Sequence, residues 1–156
     1  MKELNLLVAD NDYHSYDLPR AIGLTRDQLR DSEIELVHTV CDQRETISHL
    51  DHRKYDALLI DNDFGEGAQT LYRVRVIYSE GREDLPIAYV SAYNKEGLIR
   101  QHHRIIPGIS TTSLVHPEEF ERRNITLIQK KGRNVGKDVQ LTNLAKNLHD
   151  FLLSLK

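Results

Sequence analysis

The chain has 156 residues, 39% hydrophobic and 29% charged, an ordinary composition for one soluble domain with a core of its own. Lys plus Arg number 21 against 24 Asp plus Glu, a formal charge of −3 that gives no general electrostatic case for binding nucleic acid. No apolar stretch is long enough to cross a membrane, no signal-peptide core precedes the first strand, and the lone Cys41 excludes an internal disulfide. These features together lead us to expect a cytoplasmic protein with Cys41 as a small buried hydrophobe.

Short apolar runs alternate with helical stretches along the chain. Residues 3–9 read as a strand, and a helix follows within 16–30, its start blurred by Pro19 and Gly23. A second strand over 34–40 leads to a short helix over 43–50. A third strand spans 57–60, and a helix over 68–79 ends at Gly81. Residues 86–90 form a fourth strand running into Ser91-Ala92. The stretch from Tyr93 to Asn124 is irregular. Within it, 95–104 reads as helix, Pro107-Gly108 as a turn, and Pro117 with Glu118, Glu119 and Glu121 as the first turn of a helix, with Pro at N1 and acids at the positive end of the dipole. Residues 125–128 make the last strand, followed by Gln129-Lys130-Lys131-Gly132. A final helix over 138–155 carries Leu141, Leu144, Leu148, Phe151, Leu152 and Leu155 on one stripe. Its spacing also suits a homodimer seam, but two heptads are short for one, and packing on its own sheet is the expectation. The alternation predicts a single three-layer α/β/α domain over 1–156, with an unusually long segment over 94–124 between the fourth and fifth strands.

The chemistry concentrates where two strands stop. Leu6-Leu7-Val8-Ala9 runs into Asp10-Asn11-Asp12, and Ala57-Leu58-Leu59-Ile60 runs into Asp61-Asn62-Asp63. Apolar runs this short read as buried parallel strands, and the carboxyl ends of such strands are where open α/β sheets place ligand sites. Acids gathered there repel one another, which a divalent cation relieves. The bland alternative for Asp10 and Asp61 is a solvated loop acid or helix cap. His102-His103 suggests a metal, but adjacent residues do not share a helix face. Gly65-Glu66-Gly67 is too short and misplaced for a phosphate-binding loop and reads as a turn.

In chain order, Asp10 closes the first strand, Asp61 the third, Ser91 the fourth and a Lys the fifth. That series resembles the receiver domain of two-component response regulators. Tyr55-Asp56-Ala57-Leu58-Leu59-Ile60-Asp61 is similar to the strand bearing the family's phosphorylated aspartate, and Leu85-Pro86-Ile87-Ala88-Tyr89-Val90-Ser91-Ala92 to its fourth strand. The resemblance is good over 3–92 and looser beyond. It implies a doubly wound, five-stranded parallel sheet of flavodoxin type. It also implies Asp61 as phosphoacceptor, Ser91 and Lys130 as its helpers, and Mg2+ held by Asp10, Asn11, Asp61 and Asp63. The implied partners are a sensor histidine kinase or histidine phosphotransfer protein and a downstream protein, in a phosphorelay where the chain labels itself rather than turning over a substrate.

The sequence departs from the family in three places. Asn11 stands where a second acid usually ligates the metal, so a weaker Mg2+ site is expected. The strand-Lys-Pro motif splits between Leu127-Ile128-Gln129-Lys130-Lys131, which lacks the Pro, and Leu114-Val115-His116-Pro117, which has His for Lys; the stronger strand favours Lys130. The family's aromatic on the fifth strand is absent, with Leu127 or Ser113 in its place. Three functions follow: a stand-alone phosphorylatable receiver, a pseudo-receiver that binds partners without phosphorylation, and a phosphatase. The last rests on Leu59-Ile60-Asp61-Asn62-Asp63, which also resembles the DxD strand of haloacid dehalogenase-type enzymes, although those carry it on the first strand.

Overall fold

Five short strands, all parallel, form the centre of the computed structural model, which describes residues 2–10, 21–22, 32–40, 42–62, 70–71, 74, 85–104, 117–130 and 136–155. They are β1 (Lys2–Ala9), β2 (Ser32–Val40), β3 (Ala57–Asp61), β4 (Ile87–Ser91) and β5 (Ile125–Gln129), ordered β2-β1-β3-β4-β5. This is the doubly wound flavodoxin-type order, in which the chain reverses direction across the sheet between β1 and β3. Each strand lies within a few residues of its sequence-based position.

β3 and β4 are buried along their whole length, because both faces of a central parallel strand are covered. β5 lies at the edge and buries Ile125 in one layer and Ile128 in the other, with Thr126 and Gln129 exposed. β1 skips one register position against β2, where Leu4 pairs with Ile34 but Asn5 with Leu36, a bulge that leaves Glu35 over. Beside it, Asp56 holds β1 and β3 together: its carboxylate accepts from the Asn5 N–H at 2.8 Å, and its own N–H donates to the Asn5 carbonyl at 2.8 Å.

Alternation along the strands divides the core in two. Leu6, Val8, Leu59 and Val90 face one layer, where Leu144, Leu148, Phe151 and Leu152 of the last helix, α3 (Lys137–Leu153), cover them; Ala21 and Ile22, the described part of the helix expected over 16–30, are buried there as well. The α3 stripe therefore packs onto its own sheet. Leu7, Ile60, Ile87 and Tyr89 face the other layer, with Ile47 of α1 (Gln43–His52), Leu98 of α2 (Lys95–Arg104), Phe120, and Leu71 and Val74 from the stretch expected as helix over 68–79.

Local signals set the helix starts. Asp42 caps α1 by accepting from the Glu45 N–H at 2.7 Å. Asn94 caps α2 by accepting from the Gly97 N–H at 2.8 Å, and a Cβ at Gly97 would lie 3.1 Å from the Asn94 Oδ1 and 3.2 Å from the Tyr93 ring, so a larger residue would need those side chains to shift by a few tenths of an ångström. The helix expected at Pro117 is a single 3-10 turn, Pro117–Glu119. The chain leaves that turn through Asn124, whose φ of 57° is left-handed, and enters β5 directly. Among the described residues, no helix is long and apolar enough to cross a membrane.

Candidate functional site

Strand pairing brings the charged ends together. Ala9 pairs with Ile60, so Asp10 and Asp61 follow one step on at the carboxyl ends of neighbouring strands, each only 1% exposed. Two carboxylates removed from water at that spacing raise each other's electrostatic energy unless positive charge compensates. Lys130 supplies it. Its Nζ donates to Asp61 Oδ2 at 2.5 Å, with the lysine side chain 18% exposed and the acid at the bottom of the contact. The lysine gets there because β5 runs beside β4: Ser91 pairs with Gln129, and the Lys130 N–H continues the ladder to the Ser91 carbonyl at 2.7 Å.

Ser91, the last residue of β4, is fully buried. Its hydroxyl oxygen accepts from the Tyr93 N–H at 3.0 Å, which ties the start of the following loop to the strand end. Asp10, Asp61, Ser91 and Lys130 thus share one edge of the sheet. Asn11 and Asp63 lie outside the described residues, as do His116, Lys131 and Cys41. His102 and His103 fall in α2, and among the described residues no three His, Cys, Asp or Glu side chains gather as a metal site.

The donor chemistry of the described pair fits a hard cation. Mg2+ is commonly held by one or two carboxylates and fills its remaining positions with water and phosphate oxygens, and Asp10 and Asp61 are two buried carboxylates on adjacent strands.

Asn62 is a contact that the sequence did not announce. Asp61 and Asn62 are consecutive and face opposite layers of the sheet. While Asp61 meets Lys130, the Asn62 Oδ1 accepts from the Tyr89 hydroxyl at 2.5 Å. The available signal was parity: counted by twos, Asn62 continues Leu58 and Ile60, and those residues share their layer with Tyr89.

No family model matches the sequence, and no curated protein matches it. Solved structures do. The chain is similar to the phosphorylated cyanobacterial phytochrome response regulator RcpA, at 16% identity over 99% of this chain and 96% of that one, with a TM-score of 0.58. The response regulator domain of Thermotoga maritima CheB matches at 14% identity over 99% and 97% of the two chains, with a TM-score of 0.57. A response regulator in red light signalling of R. palustris matches at 14% identity over 94% and 90%, also with a TM-score of 0.57. Identities this low speak to architecture alone, and the architecture agrees with the strand order. The fold of this chain is the receiver fold of response regulators.

Proposed function

We propose that the chain is a cytoplasmic response-regulator receiver that accepts a phosphoryl group on Asp61 and acts by docking a downstream protein. The observation that carries this reading is the Lys130–Asp61 contact at 2.5 Å, with Asp10 on the neighbouring strand end. An Asp61 carboxylate oxygen attacks phosphorus, the bond from phosphorus to the donor's leaving atom (the imidazole nitrogen of a phosphohistidine, or the carboxylate oxygen of acetyl phosphate) breaks, and the leaving group departs with that electron pair. A carboxylate is a weak nucleophile, so the rate comes from placement and from charge set around the phosphoryl oxygens. Lys130 orients Asp61 beforehand and can turn its ammonium to a phosphoryl oxygen as the acyl phosphate forms. Ser91 holds a hydroxyl at the adjacent strand end. Asp10 and Asp61, with Asn11 and Asp63 as further candidates, would hold Mg2+, which when bound neutralises charge on the carboxylates and the phosphoryl oxygens. A sensor histidine kinase or a histidine phosphotransfer protein is the donor of this reading, and the phosphorylated state of the similar RcpA is its precedent.

Intact-mass measurement after incubation with acetyl phosphate, with and without Mg2+, tests it. The expected result is one added phosphoryl group, dependent on Mg2+ and absent in Asp61→Asn. Asn11, an amide where an acid is usual, favours the competing pseudo-receiver reading. No label in the wild-type chain, with acetyl phosphate or with beryllofluoride as its mimic, would establish that reading instead. Multiple turnover of p-nitrophenyl phosphate would point to the phosphatase.

A further inference from the structure

Asp61 is gripped through its own ion pair and also through the residue after it, and we propose that Tyr89 is a positioning residue for phosphoryl transfer at Asp61. The inference rests on the phosphoacceptor reading and adds a residue to it. Tyr89 is fully buried in the middle of the sheet, where a phenol hydroxyl without a partner would be costly, and where a Phe or Leu would fill the space with no such demand. Its hydroxyl donates to Asn62 Oδ1 at 2.5 Å. Asn62 is bonded to Asp61, so fixing its side chain on one layer of the sheet fixes the backbone from which the Asp61 carboxylate leaves on the other. Lys130 then meets a carboxylate whose direction is already set.

The same ring reaches further. Tyr89 pairs in register with Leu127 of β5 and meets Phe120 edge-on, with centroids 5.6 Å apart and planes at 75°. Phe120 in turn holds the entry to β5, since its carbonyl accepts from the Ile125 N–H at 2.8 Å. β5 is the strand that delivers Lys130. Tyr89 therefore touches the supports of both members of the Asp61–Lys130 pair, from a strand that contributes neither.

The test is the initial rate of Mg2+-dependent labelling by acetyl phosphate, followed by intact mass on the full chain, for wild type, Tyr89→Phe, Asn62→Ala and the double variant, with melting temperatures alongside. Tyr89→Phe keeps the ring and removes only the hydroxyl. Asn62→Ala removes the same bond from its half-buried end, so the bond is broken independently of any packing fault in the core. Each single variant is expected to label about three- to tenfold more slowly, the loss of one orienting hydrogen bond, and the double variant no more slowly than the slower single. Tyr89→Phe labelling at the wild-type rate, even with a lowered melting temperature, overturns the proposal and leaves Tyr89 a packing residue. A double variant slowed by the product of the two singles also overturns it. If wild type itself takes no label, the phosphoacceptor reading falls and takes this one with it, a result distinct from either of the others.

Discussion

The two layers against the sheet are built on different terms. Among the described residues the layer under α3 is aliphatic apart from Phe151, and its main cover is one long helix whose stripe of Leu144, Leu148 and Leu152 needs nothing but contact, with Ala21 and Ile22 buried beside it. Among the described residues the opposite layer draws on α1, α2, the turn at Pro117–Glu119, and Leu71 and Val74, and it admits a phenol whose hydroxyl must be satisfied. Helical continuity suffices where the layer has only to seal. Where it must also set directions at a strand end, the chain uses separate segments joined by specific contacts. Asp61 and Asn62, neighbours in sequence, belong one to each layer.

That contrast is open to direct attack. The largest effect is expected at the charged pair: Lys130→Ala should slow labelling about 100-fold, as the loss of one preorganised donor does elsewhere, measured by intact mass. In unfolding by urea, Lys130→Met should cost about 3 kcal/mol by stranding a buried carboxylate, and adding Asp61→Asn should restore most of it. In the aliphatic layer, Leu148→Ala should also cost about 3 kcal/mol through its cavity, yet leave the labelling rate unchanged well below the melting temperature. Phe120→Leu, in the other layer, should cost only about 1 kcal/mol but slow labelling measurably. The reverse pattern for this last pair would mean that the layers do not differ in the way described. The smallest effect is expected at the α1 cap, where Asp42→Ala should cost about 1 kcal/mol in the same urea experiment with no change in labelling.

Much of the architecture was legible because β3 and β4 are central: strands covered on both faces read as unbroken apolar runs, and their ends stand out when an Asp or Ser interrupts. Lys130 was legible because Ile125 and Ile128 mark β5 even at an edge. Pro117 misled in degree, since its fixed φ and following acids suit the first turn of any helix and do not say whether a second turn follows. Tyr89 and Asp56 could not be weighted from sequence. Tyr89 reads as one more large residue in an apolar run, and only the parity of Asn62, just past the end of the neighbouring strand, gives its hydroxyl a partner. Asp56 reads only as one residue of the third-strand motif until the register of β1 shows which N–H it meets.

The Asp56–Asn5 contact works as a measuring device. Asp10 lies five positions after Asn5, and Asp61 five positions after Asp56. A clamp at one edge of the sheet thus sets two equal lengths, each about 16 Å of extended chain, and their far ends come level. The bulge in β1–β2 pairing lies on the other side of Asn5 and spends its slippage there, so it cannot shorten either span. Sliding β3 by one residue against β1 would turn one acid to the wrong layer. Two carboxylates that repel each other cannot choose their own alignment, and here the alignment is made at a distance, by an acid that never enters the pocket.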